Sequence, residues 1–191
     1  MRTSMLAKLS ATLLLGLSAV SAQAGIISFG GTLAPEVPGA TGSGTVSVLY
    51  DDIAHTLSIL AEWSGLSGDT TVAHIHCCTA LQGLGTVGVA VTPGTLPLFP
   101  TGVRSGTYST VLNLTLASTF TGGFITGFAG GSLANAESAL INGMLAGRAY
   151  FNVHSRTFAG GEIRAFLIPE PASLALLGLG LLGLGYTRRR R

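Results

Sequence analysis

Between positions 57 and 63, Leu57, Ile59, Ala61 and Trp63 alternate with residues such as Ser58 and Glu62. A period of two puts the first set on one side of an extended chain and the second on the other, the pattern of a strand with one face in a core. Asp51-Asp52 just before it supplies turn chemistry, so 45–50 and 56–63 are predicted to form a hairpin. Further strands are expected at 26–33, 71–77, 86–91, 108–116, 148–155 and 162–168, which makes the fold all-β. One short helix is expected, because Leu133, Ala136, Leu140, Met144 and Leu145 recur at helical spacing, with Ser132 to cap its start and Gly147 to close its end. The segment 93–106 holds three prolines and three glycines and is expected to be a long surface loop.

The two ends do not share this pattern. Arg2 and Lys8 flank a basic start, 9–20 is apolar, and Ala22 and Ala24 fit the small-x-small site of a signal peptidase. Residues 1–24 are therefore expected to be a signal peptide. At the other end, the fourteen residues 172–185 are rich in Leu and Gly and lead into Arg188 to Arg191. Such a run is short for a bilayer core of about 30 Å, and the arginines behind it favour the cytoplasmic side. The expected topology is an exported domain tethered to the inner membrane by a C-terminal transmembrane helix. Six of the ten basic residues lie in these ends, so positions 25–169 carry four arginines against seven carboxylates. A domain of net negative charge has no footprint for nucleic acid.

The residues with chemistry to offer fall at 73–78, Ala-His-Ile-His-Cys-Cys, and at 150–155, Tyr-Phe-Asn-Val-His-Ser. On an extended strand His74 and His76 project to the same side, and imidazoles at i and i+2 can ligate one metal ion. His154 could supply a third nitrogen from another strand. Nitrogen and sulfur donors favour copper or zinc over magnesium or calcium. The competing arrangement is a hydrogen-bonded cluster that holds two strands and the Gly160-Gly161 turn in register, with Asn152, Glu162 or Arg164 satisfying the rings. Cys77 and Cys78, the only cysteines, leave three states open: a bridge between neighbours, an intermolecular bridge, or thiolate ligation beside the histidines. In a regular strand only Cys78 shares the face of His74 and His76, so it is the candidate sulfur ligand. Glu162 and Arg164 fall on one side of their strand and are expected to form a structural or surface ion pair. No nucleophile elbow, phosphate-cradling loop or isolated carboxylate pair is present, so no catalytic residue is assigned.

His74-Ile75-His76, a Gly-rich interval, a short helix ending in Leu145-Ala146-Gly147, Tyr150-Phe151-Asn152-Val153-His154 and Gly160-Gly161-Glu162-Ile163-Arg164 together resemble the CHRD domain, over 25–168. The resemblance implies an immunoglobulin-like antiparallel β-sandwich with no established enzymatic activity, and marks Asn152, His154, Gly160, Gly161, Glu162 and Arg164 as its structural motif. Pro169-Glu170-Pro171, the Leu/Gly run and four arginines resemble a PEP-CTERM sorting signal over 169–191. That implies processing near Pro169-Glu170-Pro171 by an exosortase-type transpeptidase of a Gram-negative bacterium. It also implies a final place at the cell surface or outside, associated with extracellular polysaccharide or envelope proteins. His-x-His with a distant His is also similar to the copper ligands of Cu/Zn superoxide dismutase, but His55 is the only other histidine and no bridging histidine or zinc loop has a candidate. Two roles follow as expectations: a non-enzymatic structural or binding protein of the envelope, or a copper- or zinc-binding or redox protein using His74, His76 and His154.

Overall fold

The computed structural model describes residues 25–170, so the expected signal peptide and transmembrane tail lie outside the described residues. The strands are β1 (Ile26–Pro35), β2 (Ser43–Asp51), β3 (Thr56–Ser64), β4 (Thr70–His76), β5 (Val89–Val91), β6 (Gly106–Asn113), β7 (Tyr150–Ser155), β8 (Ile163–Phe166) and β9 (Ile168–Pro169). They join in the order β5-β4-β7-β8-β1-β2-β3-β6, with β9 also on β1, and every pairing is antiparallel. The result is a single curled sheet. The long strand β1 makes the curl possible: residues 26–33 pair with β2, while Ala34 and Pro35 at its end pair with β8.

The β2–β3 hairpin forms as its alternation requires, and Leu57, Ile59, Ala61 and Trp63 are all buried. Its turn is closed by Asp51, whose Oδ1 accepts from the amides of Ile53 at 3.0 Å and Ala54 at 2.8 Å. The inward faces of both ends of the sheet enclose one core, in which Val46 and Val48 lie with Ala73, Ile75, Phe151 and Val153.

Three expectations need correction. Two α-helices are present rather than one, α1 (Gly122–Phe128) and α2 (Ala136–Leu145). Three glycines make α1 a poor helix in isolation. It is held by Thr121, whose hydroxyl accepts from the Phe124 amide at 3.2 Å, and by burial of Phe124. Ser132 does not cap α2 with its side chain, because a 3-10 turn at Leu133–Asn135 intervenes, although Gly147 does close the helix at φ +61. The 93–106 segment is not simply surface. Leu96 and Phe99 are buried, and the Leu96 amide donates to the Ala73 carbonyl at 3.0 Å, so the loop is folded down along β4. Among the described residues, no helix is long and apolar enough to cross a membrane.

Candidate metal centre

Strands β4 and β7 lie side by side in the register Val72–His154, His74–Asn152 and His76–Tyr150. Cross-strand neighbours share a face, so the period of two that sends Ala73, Ile75, Phe151 and Val153 into the core sends His74, His76, Asn152 and His154 to the other side. That side is also covered. The segments 77–95, which includes β5, and 156–161 leave His74 7 % exposed, His76 8 % and His154 8 %.

Each ring gives one N–H to a main-chain carbonyl of these segments. His74 Nε2 donates to Gly94 O at 2.9 Å, His76 Nδ1 to Val87 O at 2.7 Å and His154 Nδ1 to Ala159 O at 2.7 Å. A carbonyl can only accept, so the proton of each neutral ring is fixed on that nitrogen. The nitrogens left with lone pairs are His74 Nδ1, His76 Nε2 and His154 Nε2. One potential ligand atom from each of the three residues lies within 4.8 Å of the others. His76 Nε2 is buried with no hydrogen-bond partner, and burial pushes the His74 and His76 imidazoles below their ordinary value, which keeps them neutral and able to ligate.

The spacing can be compared with what an ion demands. Ligands about 2.0–2.1 Å from a metal stand roughly 2.9–3.4 Å apart when adjacent and about 4.1 Å apart when opposite. His74 Nδ1 and His154 Nε2 are 3.2 Å apart, which fits an adjacent pair. Nitrogen donors whose second N–H is held by a carbonyl are the arrangement that fixes tautomer and ring orientation at zinc and copper sites.

Cys78 does not join this group. Strand β4 ends at His76, so the regular alternation that would have put Cys78 beside the histidines stops short of it, and its sulfur is bonded to that of Cys77. The disulfide lies against α2 instead, where a Cβ on Gly143 would collide with both sulfurs. Glu162 and Arg164 do not pair with each other either. Glu162 is fully buried and accepts from the Ser67 amide at 2.6 Å and hydroxyl at 2.7 Å. Burial alone would push its carboxyl up, but hydrogen bonds from Ser155, Ser67 and the Gly68 amide outweigh that and hold it below the usual range. Arg164 Nη1 donates to Gly85 O at 2.9 Å and to Glu36 Oε1 at 3.4 Å, with its guanidinium over the Tyr150 ring. Gly160 and Gly161 form the turn into β8, and Asn152 sits between His154 and Glu36. The three carbonyls and Glu36 were not legible beforehand: any residue carries a carbonyl, and Glu36 is more than a hundred positions from its partners.

Residues 29–167 match the CHRD domain and residues 167–191 match the PEP-CTERM protein-sorting motif. No curated protein and no solved structure matches the chain.

Proposed function

The chain belongs to the CHRD domain family and ends in a PEP-CTERM sorting motif, and from that premise we propose that it is an exported protein whose domain binds one copper or zinc ion through His74 Nδ1, His76 Nε2 and His154 Nε2. The sorting motif marks it for an exosortase-type system, with a membrane-tethered stage before processing. The observation that carries the metal reading is the set of three carbonyl bonds, which leave one ring nitrogen of each histidine free of a carbonyl in a covered site where ligand atoms of all three lie within 4.8 Å of one another. A fully satisfied hydrogen-bonded cluster would give every ring nitrogen a partner, whereas the buried His76 Nε2 makes no hydrogen bond of regular geometry among the described residues. The role is binding rather than catalysis, a reading supported by the depth of the rings beneath their loops. The curled sheet is read as an immunoglobulin-like sandwich, supported by the way β1 serves both halves. Association with extracellular polysaccharide accompanies this sorting route in the same reading.

Metal analysis tests the central claim. Protein exported to the periplasm, purified, exposed to copper or zinc and dialysed should retain about one equivalent, and His74→Ala should lose it. Less than about a tenth of an equivalent, unchanged in His74→Ala, would end the metal reading.

A further inference from the structure

We propose that the side-chain amide oxygen of Asn152 is the fourth ligand of this site, presented by the Glu36 carboxylate; the inference rests on the three-histidine reading above. Asn152 is 1 % exposed and lies opposite His74 across the β4–β7 ladder. The direction of its amide is set by chemistry. Nδ2 faces Glu36 Oε2 at 3.4 Å, and a carboxylate only accepts, so the amide nitrogen belongs there and Oδ1 faces the histidines.

Oδ1 comes to 3.1 Å from His154 Nε2. When His154 carries one proton, on the Nδ1 that faces Ala159 O at 2.7 Å, this contact sets one lone pair against another. His74 Nδ1 stands on the same nitrogen at 3.2 Å, so two nitrogens and an oxygen converge with no hydrogen assigned between them. Repulsion of that kind is relieved by a cation. The distances 3.1 and 3.2 Å both fall within the roughly 2.9–3.4 Å expected of adjacent ligands on one ion.

The surroundings are arranged for the same end. Glu36, itself nearly buried, is held by Arg164, and its pull on the Asn152 N–H makes the amide oxygen a stronger donor. Gly161 makes room for both: its φ is +127, and a Cβ there would run into the Glu36 carboxylate and come within 2.9 Å of Asn152 Nδ2. A sphere of three imidazoles and one amide oxygen favours divalent copper or zinc over cuprous ion, which prefers sulfur.

The experiment uses the exported protein purified from the periplasm and loaded with one equivalent of Cu(II), read by electron paramagnetic resonance and by competition for affinity. Asn152→Leu, of similar shape but without a donor, should weaken binding roughly a hundredfold and alter the parallel hyperfine splitting, and Glu36→Gln should weaken it roughly tenfold. Asn152→Asp, which keeps an oxygen in place, should still bind, with a spectrum shifted by the anionic ligand. A folded Asn152→Leu that binds as tightly as the wild type with the same spectrum overturns the inference and leaves the histidines standing. Should Asn152→Leu not fold, Asn152→Asp decides, and a spectrum identical to the wild type counts against ligation. A wild-type chain that takes up no copper and no zinc removes the three-histidine site itself, and the fourth ligand with it.

Discussion

Replacing Gly143 by alanine sets two known effects of opposite sign against each other. Within a helix alanine is favoured over glycine by about 1 kcal/mol, because the unfolded glycine has more freedom to lose. Against that gain stands the added methyl, which at this buried position of α2 meets both Cys77 Sγ and Cys78 Sγ. The sulfurs are bonded to each other and Cys77 is 1 % exposed, so neither can retreat alone. Overpacking of this kind costs about 1–3 kcal/mol. The net expectation is a loss of up to about 2 kcal/mol, or a melting temperature lower by as much as roughly 6 °C for a domain of this size. Gly127→Ala in α1 is the matched control: the residue is exposed, a Cβ there meets nothing within 4 Å, and only the gain should appear. Urea and thermal unfolding by circular dichroism should therefore separate the two variants by about 1–3 kcal/mol under oxidising conditions, and less after reduction, when the sulfurs are free to part. Equal stabilisation of both variants would refute the placement of the disulfide against α2.

Other measurements bear on the remaining features. His154→Ala should lower the melting temperature even without metal, since it leaves the Ala159 carbonyl without its donor, and the fall should grow once the wild type is loaded; equal melting in both states counts against the site. Because the Glu162 carboxyl is held below its ordinary value, its stabilisation is complete above about pH 4.5 and is lost as pH falls through the lowered folded value. Glu162→Gln should accordingly be less stable than the wild type near neutrality by about 1–3 kcal/mol, with the gap closing in acid; parallel pH curves would contradict this. Mass spectrometry of the mature protein should find Gly25 first and no Arg191, and a recovered C-terminus still carrying Arg191 would speak against processing.

The legible parts of the fold were those written in side-chain alternation. Leu57 to Trp63 announced β3, and the i, i+2 spacing of His74 and His76 announced a shared face, because both depend only on the pleat. What escaped depends on partners distant in sequence. No helix was expected at 122–128 because α1 owes its existence to the packing of Phe124, which local propensity does not contain. The 93–106 loop gave no sign that Leu96 would bond to β4, since its prolines and glycines describe freedom and not destination. The cysteines left three possibilities because their outcome turns on where β4 stops, and strand ends are poorly marked by alternation.

The sorting motif begins on the domain rather than beyond it. Pro169 is paired with Phe29, and the Glu170 carboxylate accepts from the Ser28 hydroxyl at 2.7 Å while its amide donates to Ser28 O at 2.9 Å. Nothing like a spacer separates the globule from the start of this motif, so an exosortase-type system acting at Pro169-Glu170 would have either to work flush against the folded surface or first to peel two residues from β1. Loosening that latch with Ser28→Ala, which leaves the motif itself intact, is then a way to ask whether maturation waits on release of the domain's last two paired residues.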